Sequence, residues 1–162
     1  MPVINIAHHS SQRQFDPQAL VALGSRMAVD ILPPVVVEKW AKARRARVSS
    51  APRVMALIDT GASVTGVDVE VLNRLQYPPI GVANLSTPSG PTQTQVYMIR
   101  LIIPSRADPN FPSALPRITL DNVRVIAVKL KDQPYKVLLG RDVLSKMVLI
   151  YNGPQALVTL NY

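Results

Sequence analysis

The stretch Val54-Met55-Ala56-Leu57-Ile58-Asp59-Thr60-Gly61-Ala62-Ser63 carries the decisive pattern. Its apolar run predicts a buried strand, and that strand delivers a carboxylate straight into a glycine-containing turn. A lone Asp at the end of a buried strand is costly unless hydrogen bonds or a shared proton accommodate it. Thr60 and Ser63 offer hydroxyls, and Gly61 lets main-chain amides approach the carboxylate closely. Taken alone, Asp-Thr-Gly also fits an ordinary Asx turn closing a hairpin.

A second signal lies near the other end of the chain. In Val137-Leu138-Leu139-Gly140-Arg141-Asp142-Val143-Leu144 an apolar strand breaks at Gly140 into a short helix, with Asp142 placed as a helix N-terminal carboxylate. Around these two motifs, apolar and β-branched runs recur at Met27–Val37, Val96–Ile103, Ile118–Val128, Lys136–Leu139, Met147–Tyr151 and Ala156–Leu160. Turn residues such as Pro33-Pro34, Ser89-Gly90-Pro91 and Asn152-Gly153-Pro154 separate them. Fifteen prolines leave few windows for a helix of normal length but suit short strands joined by turns. The pattern predicts an all-β barrel or sandwich. Two segments read as helical, Asp68 to Leu75 behind a capping Asp and Arg141 to Met147. A third, Val37 to Arg47, reads as an exposed basic excursion between strands. Residues 83–103 read as a long hairpin with Thr87-Pro88-Ser89-Gly90-Pro91 at its tip, and 104–117 as a long connection. Residues 1–18, largely polar from His8 to Gln14, read as a flexible leader to one domain over 19–162, in which 38–51 form a basic insertion.

Composition removes several chemistries. The 162 residues suit one domain able to bury its own core. Cysteine is absent, which excludes disulfides, thiol nucleophiles and cysteine zinc sites. His8 and His9 are adjacent near the N-terminus, so the body of the chain supplies neither a Ser-His-Asp triad nor a His-Glu-x-x-His zinc helix. The seven glycines form no phosphate-binding loop. No metal and no cofactor is expected. Neither a signal peptide nor an apolar run of about 18 residues is visible, so no membrane contact is expected and a cytoplasmic location is the default. The net charge of +8 is shared between the halves, with seven Lys/Arg against three Asp/Glu in residues 1–50 and eleven against seven beyond. Its one concentration is Lys42-Ala43-Arg44-Arg45-Ala46-Arg47. Such a cluster is usually a solvated face, and with aromatics at only 5% a nucleic-acid partner is disfavoured.

Asp-Thr-Gly-Ala after an apolar strand, followed later by two aliphatics and Gly-Arg-Asp at a helix start, resembles the retropepsin-like aspartic proteases: the retroviral enzymes and their single-domain cellular relatives. The resemblance spans about residues 20–162, and the hairpin falls between the motifs as the family requires. It implies a closed acid-protease-type β-barrel with one or two short helices and a flap hairpin. The chain holds a single Asp-Thr-Gly and no Asp-Ser-Gly. Aspartic proteolysis needs two carboxylates facing one water, one acting as general base and its protonated neighbour as general acid. The resemblance therefore implies a homodimer that brings Asp59 from each copy to a two-fold axis, acting as an endopeptidase on a peptide or protein substrate.

Carried over position by position, Asp59 is the catalytic carboxylate, Thr60 bonds across the dimer axis, and Gly61 presents main chain to the carboxylates. Ala62 and Ser63 line the cleft floor, Arg141 and Asp142 brace the active-site loop, and Thr87, Pro88, Ser89, Gly90 and Pro91 form the flap tip over an extended substrate. Ser63 stands where retroviral enzymes usually carry Asp, and the tip has one glycine between two prolines, which stiffens it. The alternation at Leu157-Val158-Thr159-Leu160 suits a terminal strand used for dimer pairing or an ordinary sheet strand. The alternative function is a catalytically weak binding or scaffold module on the same fold.

Overall fold

Ten strands and four short helices make up the computed structural model, which describes residues 3–12, 14–46, 53–87, 90–104 and 117–162. In chain order they are β1 (Val3–Ala7), α1 (Pro17–Leu23), β2 (Arg26–Leu32), α2 (Val35–Ala43), β3 (Val54–Ile58), β4 (Gly66–Asp68), α3 (Val69–Arg74), β5 (Gly81–Thr87), β6 (Gly90–Pro104), β7 (Arg117–Val128), β8 (Val137–Leu139), α4 (Arg141–Leu144), β9 (Val148–Asn152) and β10 (Leu157–Asn161). The strands divide between two sheets. Six of them, β2-β3-β8-β4-β7-β6, form a ring that closes through a β2–β6 pairing, and β5 extends it as the outer arm of the β5–β6 hairpin. Closure removes the edges that an open sheet of this size would expose. The predicted all-β barrel with a long hairpin is the observed fold.

The barrel is filled from strands whose side chains alternate. Along β6, Val96, Tyr97, Ile99, Leu101 and Ile103 are buried, and on β7 so are Ile118, Leu120, Val123 and Val125. A register shift between Ile99 and Leu101 lets these two long strands bend around the barrel. Two parallel pairings bring distant segments of the chain side by side. β3 runs beside β8 with Ile58 opposite Leu139, and β4 runs beside β7. The second sheet, β1-β10-β9, packs beside the barrel.

Three details depart from the sequence expectations. Residues 3–7, expected within a flexible leader, form β1, paired with β10 from Val3↔Asn161 to Ala7↔Leu157; buried Ile4 ties the strand to the main core. Alternation was masked there by the polar residues after it. Helices number four among the described residues, against one or two expected. α1 was signalled by Asp16, whose carboxylate accepts from the Ala19 amide at 3.0 Å, by Pro17 in the first turn, and by Gly24 at φ +66°. The run Val35-Val36-Val37, expected to continue a strand, opens α2 instead. Pro33-Pro34 breaks the strand, and burial of Ala41 and a Glu38–Arg100 ion pair to β6 then hold the helix on the barrel, overriding β-branched propensity. Of the two readings left open for residues 157–160, β10 takes that of an ordinary sheet strand, central in its sheet and hydrogen-bonded to β1 on one side and β9 on the other. The long connection over 105–116, and 47–52 of the basic stretch, lie outside the described residues.

The N-terminal attachment carries a pH dependence. The His8 amide donates to Ala156 O at 3.0 Å, and its carbonyl accepts from the Asp16 amide at 2.9 Å, while its buried Nε2 has no partner among the described residues. Burial, then Arg26, holds its pKa below the ordinary 6.5; Asp16 opposes and His9 adds a little. The unfolded chain therefore binds this proton more readily than the native one. The contribution to stability is complete above about pH 6.5 and is lost as pH falls through the lowered native value. Melting temperature should drop between pH 7 and pH 5, and His8→Asn should flatten that slope when both proteins are scanned by circular dichroism. An unchanged slope would remove His8 as the cause.

Candidate active site

Because β3 and β8 run parallel in register, the residues that leave them emerge side by side. The Asp59 amide donates to Leu139 O at 3.0 Å, which sets the Asp59 turn next to Gly140. The two motifs, some eighty residues apart in sequence, thus share one end of the barrel. Gly140 makes this possible. A Cβ on it would lie 2.6 Å from the Val64 carbonyl carbon and 2.8 Å from the Thr65 nitrogen, so only glycine admits the approach.

At the turn, Asp59 Oδ1 accepts from the Gly61 amide at 2.9 Å and the Ala62 amide at 3.1 Å. Oδ2 has no hydrogen-bond partner among the described residues. A Cβ at position 61 would meet Oδ1 at 3.1 Å, tighter than ordinary contact. The opposite side of the turn belongs to Arg141. Its Nη1 donates to Thr60 O at 2.6 Å and Gly61 O at 3.2 Å, and its own amide donates to Ala62 O at 2.9 Å. In a trans peptide the carbonyl and the N–H point opposite ways. Drawing the Thr60 and Gly61 carbonyls toward the guanidinium therefore aims the Gly61 and Ala62 amides at Asp59. One cation orients both donors that fix the carboxylate.

Below the turn sits a residue that sequence reasoning missed. Thr65, fully buried, accepts from the Gly140 amide at 3.1 Å through its hydroxyl and donates that hydroxyl to Asp142 Oδ1 at 2.7 Å. Its amide donates to Asp142 Oδ2 at 3.1 Å, and the Val143 amide donates to Oδ1 at 2.9 Å. The Asp142 carboxylate is thus held at three points, and it joins the loop after Asp59 to the start of α4. The available signal was a hydroxyl residue directly before Gly66 in a strand buried throughout. Three residues on, buried Asp68 caps α3 through the Glu70 amide and accepts from the Leu130 amide, both at 2.8 Å, with Lys136 Nζ at 3.9 Å.

Of the residues expected at the site, Asp59, Thr60, Gly61, Ala62, Arg141 and Asp142 come together. Ser63 is exposed and takes no part in this hydrogen-bond set. Thr87 and Gly90 pair at the end of the β5–β6 hairpin, Gly90 with φ +108°, and Pro91 pairs with Ser86; Pro88 and Ser89 lie outside the described residues. Among the described residues no group of His, Asp and Glu is placed to hold a metal ion, and no helix is long and apolar enough to cross a membrane.

Residues 45–143 match a family model described as aspartyl protease, a span that includes both motifs. Among solved structures, a retropepsin-like aspartic protease from Rickettsia conorii is similar over 99% of this chain and 91% of its own, with a TM-score of 0.54 at 13% identity. The simian foamy virus (mac) protease is similar over 75% and 92%, with a TM-score of 0.42 at 16% identity. No curated protein matches the chain in sequence.

The buried clamp has a measurable strength. Thr65→Val keeps the volume but strands the Gly140 amide and removes one donor from Asp142, so it should cost about 1–3 kcal/mol in urea denaturation. Thr65→Ser, which keeps the hydroxyl, should cost only about 1 kcal/mol, the order of a buried methyl. Gly140→Ala should cost about 1–3 kcal/mol or more, because its new atom meets main chain rather than a flexible side chain. Equal losses in the two Thr65 variants would show that the hydroxyl does not carry the clamp.

Proposed function

The chain belongs to the aspartyl protease family, with a retropepsin-like fold, and from that premise we propose that it is a homodimeric endopeptidase that hydrolyses peptide bonds with water activated between two Asp59 carboxylates. The observation that carries this reading is the asymmetry of Asp59. One oxygen is pinned by two amides while the other is left free, among the described residues, at the end of a strand.

The chemistry follows from what one chain supplies and lacks. Two carboxylates brought within a few ångströms cannot both ionise readily, so such a pair retains one proton. The ionised partner takes a proton from water as that water attacks the scissile carbonyl. The protonated partner hydrogen-bonds the carbonyl oxygen and neutralises the charge that develops there. Collapse of the tetrahedral intermediate breaks the C–N bond, and the amine leaves with a proton from the pair. Arg141 acts through the Thr60 and Gly61 peptides to hold each carboxylate in place, so it is a positioning residue. Thr60, exposed beside Asp59, takes in this reading the role of bonding across the axis, and Ala62 and Ser63 that of lining the floor beneath the substrate. The hairpin tip, Thr87 to Pro91, is assigned to cover an extended peptide.

A peptide-library digest read by mass spectrometry tests the proposal. Cleavage should appear on the acid side of neutrality, where the pair keeps its shared proton, and a statine-type inhibitor should block it. Asp59→Asn should lower the rate by roughly 10²–10⁴-fold or more with unchanged circular dichroism. Retained cleavage in that variant would exclude Asp59 as the catalytic group. A strictly monomeric, inactive wild-type protein would favour a binding module on the same fold.

A further inference from the structure

We propose that the gap between β1 and β2 is a second peptide-binding slot, in which an extended segment of a partner protein, carrying an acidic residue, inserts as a strand and joins the terminal sheet to the barrel. The inference goes beyond the protease reading and does not depend on it. The gap is a cavity of about 880 Å3, bordered on one side by β1 and on the other by Arg26, Met27 and Ala28 of β2.

Both walls of this cavity are strand edges. Hydrogen bonding in an antiparallel pair alternates, so every second residue turns its N–H and C=O away from the partner strand. The His8 amide donates to Ala156 O, which in the β1–β10 register gives the even-numbered residues to β10 and turns Asn5 and Ala7 outward. The Ile58 amide donates to Ser25 O, which in the β2–β3 register gives the odd-numbered residues to β3 and turns Arg26 and Ala28 outward. On that side β6 covers β2 only from Asp30 to Leu32. Continued by two residues, the same register would set Pro104 opposite Ala28, and proline has no amide to donate. The outward main-chain groups of Asn5, Ala7, Arg26 and Ala28 have no partner among the described residues.

Two unpaired edges across one cavity select an extended polypeptide, because a peptide strand presents donors and acceptors to both sides at once. A strand within a sheet takes up about 160 Å3 per residue, from its rise, the inter-strand spacing and the sheet thickness. The cavity therefore accommodates about five residues, the length of β1. Side chains set the charge of the guest. No Asp or Glu is among the described residues that line the cavity. Arg53, on its wall, is held by Asp30 through Nε and Nη2, whereas Arg26 makes no ion pair among the described residues. A carboxylate on the guest beside Arg26 meets that uncompensated charge, and Met55 supplies an adaptable apolar contact.

Fluorescence anisotropy of a labelled Thr-Val-Glu-Val-Thr-Val-Ser peptide, titrated with the full chain under excess statine-type inhibitor, tests the slot; the inhibitor keeps the catalytic cleft out of the measurement. Saturable binding is expected. N-methylation of any one of the central Glu, Val and Thr amides should weaken it about tenfold or more, since consecutive amides point to opposite edges and both edges are used. Replacing the peptide's Glu by Lys should weaken binding by a similar factor, and an Arg26→Glu protein with unchanged circular dichroism should prefer the Lys peptide. No saturable binding up to about 1 mM, sensitivity confined to alternate amides, or an unchanged preference in Arg26→Glu would overturn the slot. Affinity that rises as the protein is diluted would give the gap to a strand of a second copy and overturn it as well. Peptide cleavage without slot binding leaves the protease reading standing alone, and slot binding by a protein that cleaves nothing supports the slot alone.

Discussion

The site depends on the close approach of two main-chain segments at Gly140 and Thr65. A strand end carrying a carboxylate and a helix start carrying a cation must meet at one place, and a single Cβ at position 140 would hold them apart. Thr65 turns that contact into a connection. Its hydroxyl accepts from the buried Gly140 amide and donates a hydrogen bond to Asp142, so neither polar group is left unpaired in the interior. Asp142 carries no chemistry in this arrangement. It fixes where Arg141 begins, and Arg141 fixes which way the Thr60 and Gly61 peptides point. The orientation of the Asp59 carboxylate is thus the end of a chain of hydrogen bonds that starts in the core.

Parallel pairing of β3 and β8 explains why this chain needs motifs so far apart. A tight hairpin can join only antiparallel strands, and parallel neighbours require a long crossover. The crossover here contains β4 to β7 and the hairpin, which are the elements that close the barrel and reach outward from it. Building the barrel and building the site are therefore the same topological event. The result is a braced turn in which Asp59 Oδ1 is already satisfied by two amides, while Oδ2 has no hydrogen-bond partner among the described residues.

The sequence disclosed the site better than its surroundings. Asp-Thr-Gly and Gly-Arg-Asp come after apolar strands, and a carboxylate or glycine in such a position has few inexpensive explanations, so Asp59, Gly61, Arg141 and Asp142 were legible. Thr65 was not, because a threonine beside a glycine is common and only its burial against a distant amide gives it meaning. The barrel was legible from the spacing of apolar runs. β1 was obscured by the polar segment after it, and it exists because β10 offers it a partner over a hundred and fifty residues away. Val35 to Val37 favour a strand locally, but Pro33-Pro34 stops one and the Glu38–Arg100 pair rewards a helix. The failures share a cause, in that tertiary contact decided a segment whose local preference pointed elsewhere or nowhere.

Placement of β10 between β1 and β9 bears on how the site is assembled. A sheet completed within one chain lets that chain bury Ile4, Val158 and Leu160 without help from a copy. Under the proposed dimeric reading, folding and pairing are then separate equilibria, the first set by the core and the second by concentration. Under the proposed reading a single subunit is folded but chemically incomplete, because its one Asp-Thr-Gly carboxylate lacks the neighbour that would share its proton. Under that reading, bringing two copies together completes the acid–base pair without refolding either one.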